Sequence, residues 1–269
     1  MNFPYPWLIL LLSCCLGLTG RAAELSESVI TTAMTGGNIS ALVTHQSEHD
    51  RFRRAIVLLP GYPGIMRIES ETAYLLKGNF LIRSRRFWLD RETIVFSVDA
   101  PSDQWASFTG AFRASQRYAE DLRGLTEAIQ GRYGVMDWVI VGTSEGSISA
   151  YYAAKALPDL SSKVIFSASM FVGSRNSPGL ASLDFKNFKP PMLWVHHAED
   201  PCSYTPFSEA KRLAGQTGSP LIVVRSSAVG HGNVCQAFSR HGFIGAEEAT
   251  VRAMKNWVLT GVVADVDLP

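Results

Sequence analysis

The run Gly142-Thr143-Ser144-Glu145-Gly146 sets one serine between two glycines. It follows the apolar stretch Val139-Ile140-Val141 and precedes the helical-looking "SISAYYAAKAL". A hydroxyl at such a junction stands beyond the carboxyl end of a strand, where open parallel sheets bind ligands. A turn this sharp strains the backbone at the serine and brings strand and helix close together, so its flanks must be small. The pattern is that of a Gly-x-Ser-x-Gly nucleophile elbow and points to covalent catalysis through Ser144. A serine hydroxyl is a weak nucleophile on its own. It needs a base to take its proton and a third group to orient that base.

For this elbow the chain order is serine, then acid, then histidine. Of the six histidines, His45 and His49 precede Ser144, and His196 and His197 end a strand where the acid belongs. His231 and His241 remain. His241 lies six residues ahead of Glu247, just before the last helix, and is the preferred base; His231 is the reserve. In "MLWVHHAEDPCSYTP" Glu199 and Asp200 follow a strand, and Pro201 fixes the turn. Asp200 is the preferred acid and Glu199 the reserve. Asp99 also ends a strand but precedes Ser144, and reads as a loop-capping carboxylate.

Two backbone N–H groups must hold the developing oxyanion. One belongs to Glu145, directly after the serine, and the other to the "LPGYPG" loop, where Tyr62 is the donor because Pro63 has no N–H. The Glu145 side chain, at a helix N-terminus, reads as structural. Trp105, Phe108, Tyr204 and Phe243 are candidates to line a substrate site, with core packing as the alternative for each.

These residues need a scaffold. "SVITTAMTGGNISALVTH" reads as a β-hairpin about Gly36-Gly37-Asn38. Apolar β-rich runs then recur at Ala55–Leu59, "TIVFSVDAP", "DWVIVG", "KVIFSASM", "PMLWVHH" and "PLIVVRSS". Between them lie helical patterns in "GNFLIRSRRFWLDR", "AFRASQRYAEDLRGLTEAIQGRYG", "PFSEAKRLAG" and "GAEEATVRAMKNWVLTG". Continuous apolar strands alternating with amphipathic helices predict an α/β architecture: a mostly parallel, doubly wound sheet covered on both faces, with an antiparallel hairpin at one edge. Residues 24–269 read as one domain, and the stretch of about 20 residues between the strands near Ile165 and Leu193 is too poor in helix to form a lid.

The residues Gly61-Tyr62-Pro63-Gly64, Gly142-Thr143-Ser144-Glu145-Gly146, His197-Ala198-Glu199-Asp200 and His241-Gly242-Phe243 together resemble the α/β-hydrolase superfamily, in particular lidless bacterial esterases of the dienelactone-hydrolase-like kind. The likeness runs from roughly Ala55 to Val258. Many members carry His-Gly in the oxyanion loop, where this chain has Pro60-Gly61. The resemblance implies a Ser-His-Asp acyl-enzyme mechanism without naming a substrate.

Trp7–Leu18 is nearly all apolar and followed by Gly20, Ala22 and Ala23, the pattern of a signal peptide over residues 1–23. Cys14 offers a lipoprotein signal, and an uncleaved anchor is the third form; only these two imply a membrane partner. An exported location, periplasmic or secreted, leaves Cys202 and Cys235 to form one disulfide. With His231 and His241 the same cysteines could instead bind zinc, though their spacing matches no standard site. A net charge of +1 argues against a nucleic-acid surface. The sequence therefore predicts an exported serine hydrolase without cofactor or metal, acting on a small ester. An amidase or peptidase with the same triad, and a non-catalytic binding protein of this fold, are the alternatives.

Overall fold

Apolar strands that must be covered on both faces build the observed architecture, a computed structural model describing residues 24–46 and 51–269. The leader expected at 1–23 lies outside the described residues. In chain order the elements are β1 (Leu25–Met34), β2 (Gly37–Gln46), β3 (Arg54–Leu59), α1 (Phe80–Ser84), β4 (Thr93–Val98), α2 (Gly110–Arg113) and α3 (Gln116–Tyr133). There follow β5 (Asp137–Thr143), α4 (Gly146–Ala156), β6 (Lys163–Ser167), β7 (Met192–His197), α5 (Phe207–Thr217), β8 (Leu221–Arg225), α6 (Glu247–Thr260) and β9 (Val266–Asp267). The strands form one nine-stranded sheet in the order β1-β2-β4-β3-β5-β6-β7-β8-β9. The β1–β2 and β2–β4 pairs are antiparallel and the rest are parallel.

Alternation along the strands divides the core into two layers. Val57, Leu59 and Ile140 point to one face, where Leu122, Leu125 and Ile129 of α3 and Ile148 and Tyr151 of α4 cover them. Ile56, Leu58, Val139 and Val141 point to the other, against Phe80 and Leu81 of α1 and Val251, Met254 and Trp257 of α6. The connection from β6 to β7 holds a single 3-10 turn, Leu180–Ser182.

Three local expectations differ from the structure. The helix expected through Trp88 stops at Ser84 and continues only as a 3-10 turn. The helix expected from Ala111 is broken: Ser115 caps a new helix by accepting from the Tyr118 N–H, and hydroxyls favour such caps over helix interiors. The two-residue β9 is too short to leave a periodic signal.

Candidate active site

The serine sits on the elbow the sequence predicts. Its φ is 53°, a left-handed conformation that costs an ordinary residue energy and persists only where surroundings over-determine it. They do so here. Ser144 N–H donates to the carbonyls of Ser167 and Ala168, both at 3.1 Å, and its own carbonyl accepts from Ser147 Oγ at 2.6 Å and Met170 N–H at 3.2 Å. The flanking glycines have no room for a side chain: a Cβ on Gly142 would lie 2.4 Å from Gly146 O, and one on Gly146 would lie 2.0 Å from Leu59 O.

The loop after β7 brings Asp200 beneath the loop that carries His241. Asp200 Oδ2 is 2.9 Å from His241 Nδ1 and accepts from Thr205 Oγ1 at 2.8 Å, while Oδ1 accepts from Cys202 N–H at 2.9 Å. The Asp200 side chain is fully buried and that of His241 nearly so. Burial alone would raise the Asp200 carboxyl. Hydrogen bonds and charge from His196 and His241 outweigh it and hold the group well below the usual carboxylate range. An ionised carboxylate only accepts, so the bond to it fixes the hydrogen of neutral His241 on Nδ1 and leaves the lone pair on Nε2.

His241 and Ser144 line the same cleft, of about 220 Å³, with Leu76, Phe80 and Phe238. Among the described residues no hydrogen bond joins Ser144 Oγ to Nε2; such contacts are often long in unliganded sites. A second depression of about 350 Å³ meets the first at Tyr62, Ser144, Cys235 and Gln236, and adds Glu145, Met170 and Tyr204. The N–H groups of Tyr62 and Glu145 have no acceptor among the described residues, and both residues line this space with Ser144.

The reserve residues lie elsewhere. His231 is exposed and stacks on Phe238, with ring centroids 5.2 Å apart. Glu199 is exposed and pairs with Arg240. Of the four aromatics, Tyr204 lines the second depression, while the other three are packed away from both. Phe108 and Phe243 are buried in the two core layers, and Trp105 packs on the core with its Nε1–H donating to Ala100 O. Phe243 follows the histidine in sequence, but its φ of 56° turns it inward onto Phe80. Asp99 caps a loop, accepting from the N–H groups of Met66, Ile68 and Ala100.

Sequence reasoning missed His196. Buried between Phe171 and Phe207, it donates from Nε2 to Thr205 O at 2.8 Å and lies 3.4 Å from Asp200 Oδ2, so Asp200 has an imidazole on each side. Its spacing, four residues before Asp200 across a strand end, carries no signal that would single it out. Cys202 and Cys235 are joined in a disulfide, which consumes both thiolates that a zinc site would need. The bridge ties the acid loop to the histidine loop.

No family model and no curated protein sequence matches the chain. Solved structures match its fold. Est1E from Butyrivibrio proteoclasticus has a TM-score of 0.61 at 12% identity, over 86% of this chain and 98% of that one. An α/β serine hydrolase without lid from Xanthomonas campestris has 0.57 at 14% identity, over 84% and 94%. The acylaminoacyl peptidase of Pyrococcus horikoshii has 0.57 at 14% identity, over 87% of this chain and 41% of the peptidase.

Proposed function

The chain has the α/β-hydrolase fold, and we propose that it is an exported serine hydrolase that cleaves carboxylic esters. The observation that carries this reading is the buried Asp200–His241 pair opening onto the same cleft as a serine held in left-handed backbone. His241 Nε2 takes the Ser144 proton as Oγ attacks the ester carbonyl, and the carbonyl electron pair moves onto oxygen. The Tyr62 and Glu145 N–H groups receive that oxyanion; one such donor supplies about 3–4 kcal/mol of transition-state stabilisation. Collapse breaks the bond to the leaving alcohol, whose oxygen takes the proton from Nε2. Water, activated by the same imidazole, then releases the acid and restores Ser144.

Amide hydrolysis by the same triad is the second reading, and the peptidase among the neighbours shows that the fold hosts it. Two features favour esters. Alcohols leave more readily than amines. Neither depression presents an unpaired charged side chain among the described residues, since Glu145 faces Arg113 and His241 faces Asp200, so a charged peptide terminus has no anchor. Export is supported by the leader-like sequence and by the disulfide, which oxidising compartments preserve.

The test is hydrolysis of p-nitrophenyl acetate and butyrate by wild type and Ser144→Ala. The expected result is turnover by wild type and a loss of kcat of about 10⁴-fold or more in the variant. Full activity in Ser144→Ala would refute the assignment.

A further inference from the structure

Arg113, the last residue of α2, is a charged side chain only 1% exposed. Burying a cation is costly unless it is paired and hydrogen-bonded, so its place needs a reason. Its guanidinium lies over the Phe108 ring, 4.0 Å from the centroid. It donates to Pro60 O at 3.2 Å, Pro63 O at 3.3 Å and Ser149 Oγ at 3.0 Å. Pro60 and Pro63 flank Gly61-Tyr62, so one planar group grips the oxyanion loop on both sides of the Tyr62 N–H. Ser149 lies on α4, four residues after Glu145. The remaining nitrogen, Nε, faces Glu145 Oε2 at 3.8 Å, and both atoms are buried with no hydrogen-bond partner among the described residues.

We propose that Arg113, backed by the Glu145 carboxylate, is the positioning residue of the oxyanion hole: it ties the loop bearing the Tyr62 N–H to the elbow bearing the Glu145 N–H. The inference rests on the serine-hydrolase reading. It gives Glu145 two separate tasks, a backbone donor toward substrate and a side-chain counter-charge turned away from it. Lysine cannot take Arg113's place, because an ammonium is a point charge without the planar fork that spans two carbonyls and a hydroxyl. Burial lowers the Arg113 pKa and the Glu145 carboxylate opposes that shift; a guanidinium stays protonated in a protein at neutral pH.

The test compares wild type, Arg113→Lys, Ser149→Ala and Ser144→Ala on p-nitrophenyl butyrate, with active sites counted by fluorophosphonate titration. A second readout is the affinity of an alkylboronic acid, whose tetrahedral serine adduct places an oxygen in the hole. Arg113→Lys lowers kcat per titrated site about 10- to 100-fold and weakens boronate binding by a similar factor, while KM changes by less than about threefold. Ser149→Ala, which removes one anchor of the guanidinium, shifts both in the same direction by less. A merely structural role would lower Tm and the titratable fraction but leave both per-site quantities unchanged. Wild-type kcat per site and boronate affinity in the variants that fold would overturn the proposal. An active Ser144→Ala would instead remove the serine-hydrolase reading beneath it.

Discussion

Opening the Cys202–Cys235 bridge should cost stability before it costs chemistry. The two cysteines are 33 residues apart, and the closed segment contains α5, β8 and the first part of the loop that leads on to His241. Chain entropy for a loop of that length amounts to about 12–13 cal/mol/K, or about 3.7 kcal/mol at 25 °C. In a domain of this size each kcal/mol moves Tm by about 2–4 °C, so Cys202→Ala/Cys235→Ala should melt about 8–15 °C lower. Activity at 25 °C should stay above about a tenth of wild type. The two bridged loops keep other ties: Thr205 Oγ1 still donates to Asp200, and Arg83 Nη2 still donates to Gly242 O at 2.7 Å. The assay is urea and thermal unfolding of oxidised and double-variant protein, with ester turnover at 25 °C and thiols counted by alkylation. An unchanged Tm in a variant with confirmed loss of the bridge would refute the entropic argument. A total loss of turnover in a still-folded variant would refute the claim that the remaining ties suffice.

Asp200→Asn should lower kcat about 10³- to 10⁴-fold, because an amide no longer fixes the His241 tautomer. The folded carboxyl is held below its unfolded value of about 3.9, so its contribution to stability is present above that pH and is lost as pH falls through the folded pKa. Wild type should therefore exceed Asp200→Asn in stability at pH 7, with the gap closing below about pH 4 in urea titrations; a gap independent of pH would contradict this. Phe243→Ala should cost about 3–5 kcal/mol of stability as a core truncation. Tyr204→Ala should instead change KM, with stability within about 0.5 kcal/mol of wild type. Chemical unfolding and Michaelis kinetics on both variants separate the two roles.

What the sequence disclosed was local. Gly142 and Gly146 announce the elbow because the steric demand falls on residues two positions either side of Ser144. The β-branched runs announce parallel strands because burial on both faces removes the polar alternation. Asp200 and His241 could be ranked from chain order and their places at element ends, although only the fold brings them within 2.9 Å. The helix break at Ser115 was written in its hydroxyl but concealed by an unbroken apolar periodicity on either side. His196 and Arg113 were not legible: the turn after β7 folds Asp200 and Thr205 back onto His196 without any residue pattern that marks it, and the Pro60 and Pro63 carbonyls meet Arg113 only through tertiary packing. Phe243 misled for a related reason: adjacency to the histidine says nothing of direction once the backbone turns left-handed.

The central claim is that His241, oriented by Asp200, activates Ser144. The most direct measurement is the rate at which a fluorophosphonate labels the protein, with the adduct located by peptide mass spectrometry in wild type, His241→Ala and His231→Ala. The account predicts an adduct on Ser144, slowed by at least about 10³-fold in His241→Ala and unaltered in His231→Ala. An adduct on a different residue, or wild-type labelling of His241→Ala, would contradict it.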